Sequence, residues 1–457
     1  MSAIRERPAP VEEAGPRRGR PRNRNEILRS GRLGGLDPVD LATRFGTPVY
    51  LYDLDVVGRQ VQALRAALPA RFELAYAVKA NPSLAVVAYL GSLGLGADVA
   101  SGGELEMVLR AGIGADRIVM TGPGKRDDEL AAAVRAGVRV VTVESSREVK
   151  RLEAIAAAAG RRVPILLRAA VGGEAAAGRV RLVGDDGAGK FGMDPDELLG
   201  AARLAVASEH LEPLGIHAFG ISNVLDPAVL AGHIEATVSR AAAVAKAAGF
   251  SLRLVDTGGG LGIPYEAHEE SLDLVGLATR LRAAAARWDA DPALADTRIL
   301  LEPGRFQVGP AGAYLCRVVD RKNLGGETVV VLDGGIHHLV RPALTGSEHR
   351  IRSFGRANGS ERQWPVTVAG PLCSGLDVFS RHAVLAVPEV GDLVAVLDAG
   401  AYGYTESMPL FLSHPSPAEV AIRDGQAACV RPRIEPTRWL EDQSIPDWHT
   451  AEARATG

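Results

Sequence analysis

The chain has 457 residues, of which 47% are hydrophobic and 23% charged, and its formal net charge is −3. This is the balance of a globular protein with length for two or three domains. It excludes the basic footprint of a nucleic-acid binder and the polybasic signal of a membrane-surface protein.

The first 33 residues are rich in Arg and Pro without a continuous apolar stretch, which predicts a disordered tail rather than a secretory leader. No run of about 18 apolar residues occurs further on, so no membrane span is predicted. An ordered start is signalled at Gly46-Thr-Pro-Val-Tyr-Leu-Tyr-Asp53, a β-branched and aromatic run. Strand and helix patterns then alternate eight times, with strands predicted over 72–78, 96–100, 117–120, 138–143, 163–169, 214–219, 252–256 and 298–302. Eight such units over roughly 235 residues fit a closed (β/α)8 barrel better than a doubly wound open sheet. Past Arg305, strands are expected over 312–320, 328–333, 364–368 and 393–397, with short helical pieces near Phe379 and Tyr402. They make a second, mostly β domain, which the strand near Tyr50 can join. The expected division is a tail over 1–33, an N-terminal contribution to the β-domain over 34–70, the barrel over 71–308, the rest of the β-domain over 309–433 and a flexible tail over 434–457.

Chemistry in a barrel gathers at the C-terminal ends of strands. The first cluster at such a point is Ala77-Val-Lys-Ala-Asn-Pro82. Partial desolvation of Lys79 would lower its pKa and suit a Schiff base, although taken alone it reads more readily as a lysine snorkelling at a strand end. Asp256-Thr-Gly-Gly-Gly-Leu-Gly262 exposes backbone N–H groups that suit a phosphate, or forms a tight turn. In Glu302-Pro-Gly-Arg305, Glu302 could pair with a pyridinium nitrogen and Arg305 with a phosphate or carboxylate; otherwise the two form a surface ion pair. Gly370-Pro-Leu-Cys-Ser-Gly-Leu-Asp377 sets a cysteine between turns, and Asp398-Ala-Gly-Ala-Tyr-Gly403 offers a tyrosine hydroxyl amid small residues. The three cysteines, Cys316, Cys373 and Cys429, contain no CxxC pair, so neither a zinc site nor a disulfide framework is predicted and a reducing cytoplasm suits them. Scattered histidines without HExxH predict no metal site, and a Ser-His-Asp hydrolase lacks its GxSxG elbow.

In order and spacing these five clusters resemble the fold-type III decarboxylases that use pyridoxal phosphate, the family of diaminopimelate, ornithine and biosynthetic arginine decarboxylases. The resemblance covers roughly Asp37 to Val420. It implies that Lys79 holds the cofactor as a Schiff base with Asp98 near it. Gly258, Gly259 and Gly260 would bind the phosphate, helped by Ser222 and Tyr402, and Glu302 would pair with the pyridine nitrogen. Arg305 would hold phosphate or substrate carboxylate. Lys190, in Gly189-Lys-Phe-Gly192, matches a structural element of the family. Arg341, in Arg341-Pro-Ala-Leu344, looks like the substrate-carboxylate arginine of the diaminopimelate branch. Cys373 looks like the cysteine that enters the site from a partner subunit and donates a proton after carbon dioxide leaves, so a cytoplasmic homodimer with shared sites is implied.

Three departures bear on substrate. The residue after Cys373 is the neutral Ser374, where the family places Glu or Asp for a distal amine. Losing that charge-assisted partner is typically worth about 1.5–3 kcal/mol. Thr345 stands where diaminopimelate decarboxylases carry a tyrosine. Phe219 aligns with the family's ring-stacking histidine, and His217 two residues earlier is expected on the same strand face. Together they look closer to a branch of specialised metabolism resembling carrier-bound glutamate decarboxylases, with a substrate whose distal end is neutral, acylated or tethered. The alternatives are a diaminopimelate decarboxylase of lysine biosynthesis, a racemase using the same cofactor, and a non-catalytic member that binds a partner protein.

Overall fold

A computed structural model describes residues 27, 30–171, 189–346, 348–354 and 363–446. Strand β1 (Val49–Asp53) comes first. Eight parallel strands then close a barrel: β2 (Phe72–Ala77), β3 (Gly96–Val99), β4 (Ile118–Met120), β5 (Val140–Val143), β6 (Val163–Arg168), β7 (Leu211–His217), β8 (Leu254–Asp256) and β9 (Arg298–Leu301). Most are runs of Val, Ile, Leu and Ala because both faces are covered, the inner by packed side chains and the outer by helices. The sequence punctuates those helices. In Pro227–Ala248, the Asp226 side chain accepts from the Ala228 N–H, Pro227 fills the first turn and Gly249 closes the end in the left-handed region. None of the described helices is long and apolar enough to cross a membrane.

The remaining strands are β10 (Gly312–Leu324), β11 (Glu327–Leu332), β12 (Ile351–Phe354), β13 (Trp364–Ala369), β14 (Val378–Leu385), β15 (Leu393–Leu397), β16 (Ala418–Arg423) and β17 (Gln426–Arg431). They form one mixed sheet with β1, which lies inside it, antiparallel to β10 and parallel to β16. All five residues of β1 are buried.

Two expectations change. Phe379 lies in β14, paired antiparallel with β13, and not in a helical piece; the ladder pairs Val368 opposite Ser380 and Ala369 opposite Val378 place it in the sheet. Near Tyr402 a short 3-10 turn does form, over Tyr404–Glu406. Ile27 and Leu33 are buried against Leu41, Val49 and Leu51, so packing begins inside the stretch predicted as a tail. Residues 1–26 of that stretch lie outside the described residues, as do 447–457 at the other end.

Candidate active site

Inward positions on a barrel strand recur in steps of two. Ala75, Val119, Val140, Leu166, Leu254 and Leu300 fill the interior as one buried layer. Two residues further on, at the C-terminal mouth, the same face turns polar: Thr121 follows Val119, Arg168 follows Leu166, Asp256 follows Leu254 and Glu302 follows Leu300. All four are buried. The register sets Arg168 beside His217 and His217 beside Asp256.

Lys79 stands in the 3-10 turn Val78–Ala80, directly after β2. Its Nζ is 3.2 Å from Asp98 Oδ2, and its side chain is 43% exposed against 1% for Asp98. The other Asp98 oxygen accepts from Thr121 Oγ1 at 2.6 Å. The lysine therefore reaches from a buried carboxylate into an open mouth. The expected downward pKa shift does not occur. Burial does push the amine down, but the charge of Asp98, with its hydrogen bond, leads the opposing effects and holds Lys79 above its usual value. The turn is stitched to the β-domain, because Asn81 Nδ2 donates to the Gly400 carbonyl at 2.9 Å across 319 residues of chain. The Tyr402 N–H donates to the Ala80 carbonyl at 2.7 Å.

The glycine run packs into the loop after β7. A Cβ on Gly258, which sits at φ +65°, would meet the Phe219 ring at 2.5 Å, and one on Gly259 would meet the Glu302 carbonyl oxygen at 2.5 Å. Close approach explains why side chains are absent there. Among the described residues, the N–H groups of Gly259 and Gly260 have no hydrogen-bond acceptor. Ser222 is half-buried in the facing loop. β7 ends at His217, so Phe219 lies just beyond the strand, with its ring centroid 5.7 Å from Lys79 Nζ.

Beneath Lys79, donor atoms of His217, Asp256 and Glu302 converge within 4.8 Å, all fully buried. Sequence spacing predicted no metal site, and three separate strands nonetheless gather three residues that could ligate one. Their protonation favours a different use. Burial lifts Asp256 to about 7, and burial together with the charge of Asp256 lifts Glu302 well above the carboxylate range. Two carboxyls this close share a proton. Burial also keeps His217 neutral by pushing its pKa down. Glu302 Oε1, Asp256 Oδ2 and both ring nitrogens of His217 are buried without a hydrogen-bond partner, a state a folded protein rarely leaves unsatisfied. Pyridoxal phosphate fits this set. The two open glycine N–H groups suit its phosphate, the orphaned Glu302 oxygen suits its ring nitrogen, and Lys79 Nζ suits its aldehyde carbon.

The outer wall comes from the β-domain. Tyr402 adopts φ +54°, and its ring centroid is 4.6 Å from Arg305 Cζ and 4.4 Å from Arg341 Cζ. Arg305 Nη1 donates to the Tyr265 hydroxyl at 2.8 Å. Arg341 Nη1 donates to both oxygens of Glu406, at 3.0 and 2.9 Å. Thr345 Oγ1 donates to the Arg341 carbonyl at 2.9 Å. Cys373 is exposed and Ser374 half-buried on a loop shaped by Asp377, whose buried carboxylate accepts from the Ile336 and Leu372 N–H groups, each at 2.7 Å. No hydrogen bond or ion pair among the described residues joins that loop to Lys79.

Sequence reading missed Thr121, Arg168, Glu144 and Glu406. Arg168 and Glu144 form a buried pair at 2.6 Å. Phe191 of the KFG element covers Arg168 at 4.7 Å, the Gly192 N–H donates to Glu144, and Lys190 itself is exposed. For Arg168 the available signal was positional: a charged residue two places after the inward Leu166 at a strand end.

Comparison with known proteins agrees with this geometry. Residues 54–309 match the family model for the pyridoxal binding domain of pyridoxal-dependent decarboxylases. Diaminopimelate decarboxylase of Methanothermobacter thermautotrophicus is 36% identical over 417 residues, 91% of this chain and 95% of that protein. L-glutamyl-BtrI acyl-carrier-protein decarboxylase of Niallia circulans is 31% identical over 398 residues, 86% of this chain and 92% of that one. The crystal structure of diaminopimelate decarboxylase from Helicobacter pylori, complexed with L-lysine, aligns with a TM-score of 0.79 and 30% identity over 88% of this chain and 98% of that chain.

Proposed function

The chain belongs to the fold-type III pyridoxal-phosphate-dependent amino-acid decarboxylases, and from that premise we propose that its substrate is not meso-diaminopimelate but an amino acid whose distal end is neutral, acylated or tethered to a carrier protein. The observation that carries this reading is the Cys373 loop, where Ser374 offers no charge to a distal amine. Thr345 supports it, because its hydroxyl is turned onto its own helix. The relative from Niallia circulans gives the chemistry a precedent in its name.

Pyridoxal phosphate, when bound, supplies a sink for the electron pair left as the α-carboxylate departs. Lys79 Nζ is the tether, and Asp98 orients it. Gly259, Gly260 and Ser222 would hold the phosphate, with Tyr402 beside it and Arg305 supplying positive charge; the Gly258 N–H, expected to join them, instead donates to Asp256 Oδ1 at 2.9 Å. Glu302 holds a proton at the ring nitrogen, backed by Asp256. Phe219, whose ring centroid is 5.7 Å from Lys79 Nζ, would offer the ring an apolar contact and no hydrogen bond. Cys373 delivers a proton to the carbon that lost the carboxylate, from the second chain of a homodimer with shared sites. Its exposure in the single chain supports that assignment. A reducing cytoplasm would keep this exposed thiol active.

Carbon dioxide release should be assayed on meso-diaminopimelate, ornithine, free glutamate and carrier-bound glutamate. Turnover of the carrier-bound or another acylated substrate well above the rest is expected. Efficient turnover of meso-diaminopimelate would sink the substrate assignment.

A further inference from the structure

We infer that Glu406 selects the substrate by cancelling the charge of Arg341, so that the site takes an amino acid whose distal carboxyl is masked as a thioester, ester or amide and turns away one whose distal carboxyl is free. This rests on the proposed function and on the resemblance that makes Arg341 a substrate-carboxylate arginine, which we assign to the distal carboxyl.

The two guanidiniums stacked on Tyr402 are not equivalent. Arg305 has a neutral partner, the Tyr265 hydroxyl, and among the described residues no carboxylate within ion-pair distance. It keeps its full positive charge. Arg341 is 4% exposed along its side chain and meets Glu406, 24% exposed, through both carboxylate oxygens. A pair this buried is weakly screened by salt. A free carboxylate approaching Arg341 would have to compete with one already bound and would bring a second negative charge beside it. An acyl oxygen adds no charge and can still accept a hydrogen bond from the guanidinium. Discrimination therefore arises from repulsion of the wrong substrate more than from attraction of the right one.

Glu406 is not needed to dock the two segments. The Val340 N–H donates to Ser407 Oγ at 3.0 Å, Ser407 Oγ donates to the Gly403 carbonyl at 2.8 Å, and Thr345 Oγ1 caps the Arg341 carbonyl. The first of these bonds ties the start of the helix Arg341–Thr345 to the turn Tyr404–Glu406, and the other two brace the turn and the helix internally, whatever the charge at residue 406. Glu406 acts through Arg341, so it is a positioning residue, and a split between two substrates reports it.

The holoenzyme and its Glu406→Gln variant should be compared on L-glutamate and on L-glutamate carrying a γ-thioester to a small thiol. The variant is expected to gain about tenfold in kcat/KM on free glutamate, the factor that 1.4 kcal/mol represents, mainly through KM. Thioester turnover should change little. An unchanged ratio, or a fall on free glutamate, overturns the inference. The wild-type protein gives a second reading that needs no variant. Glutarate should inhibit about tenfold more weakly than its monoester, and equal or stronger inhibition by glutarate also overturns it. Efficient turnover of meso-diaminopimelate would fell the substrate assignment instead, and the glutarate comparison would still report on Arg341.

Discussion

Asp256 and Glu302 stand at the mouths of adjacent barrel strands and hold one proton between two buried carboxyls. An acid whose pKa rises on folding binds its proton longer in the folded state than in the unfolded chain. The stability that goes with it is complete below the ordinary value of 3.8 and is lost as pH climbs through about 7. Asp256→Asn removes that loss. The cofactor-free variant should gain about 1–3 kcal/mol over wild type between pH 5 and pH 7.5. Urea unfolding at the two pH values checks this, and an unchanged difference would show that no proton is shared.

Lys79→Ala should abolish the visible absorbance of lysine-bound cofactor and lower kcat by at least about a thousandfold. Asp98→Asn removes the charge that raises Lys79, so the amine should titrate at lower pH. The pH dependence of pyridoxal phosphate association, followed by absorbance, reads that shift. A profile identical to wild type would remove Asp98 from its role.

Gly259→Ala places a methyl 2.5 Å from a backbone carbonyl that cannot move aside. It should cost about 1–3 kcal/mol of stability and weaken cofactor binding at least tenfold. Gly124→Ala, where a Cβ meets nothing within 4 Å, is the control and should alter neither. Thermal unfolding and cofactor titration separate the two variants. Equal behaviour would mean the glycine run is only a turn.

Inactive Lys79→Ala and Cys373→Ala proteins, mixed under conditions that exchange subunits, should recover up to about a quarter of wild-type activity if each site draws on both chains. No recovery after verified exchange would place Cys373 outside the partner's site.

The barrel was legible because its strands are continuous apolar runs punctuated by capped helices, a pattern that period and turn chemistry reveal directly. Four of the nine strands in the β-domain sheet were not. β12 has four half-buried residues, β14 does not alternate in burial, and β16 and β17 sit within a stretch without strong alternation. Their identity comes from pairing partners distant in sequence. The glycine run, Lys79 and Glu302 stood out in the sequence as strand-end residues. The convergence of His217 with Asp256 and Glu302, and the grip of Glu406 on Arg341, depend on register and on docking between distant segments. Spacing along the chain does not encode either. Lys79 shows the same limit for charge: its setting at a strand end argued for a lowered pKa, and a neighbour 19 residues away reversed the sign.

Strand β1 sits between β10 and β16, and this placement governs the order in which the protein can be made. Its parallel partner is synthesised roughly 370 residues later, about 20–75 s at ribosomal rates of 5–20 residues per second. Throughout that interval one edge of a fully buried strand has no permanent neighbour, while the barrel can already close behind it and β10 can pair with the other edge. A polypeptide cut short before β16 would keep an intact barrel and an exposed sticky edge. Loss of the C-terminal strands should therefore appear first as aggregation in cells, before any defect in catalysis could be measured.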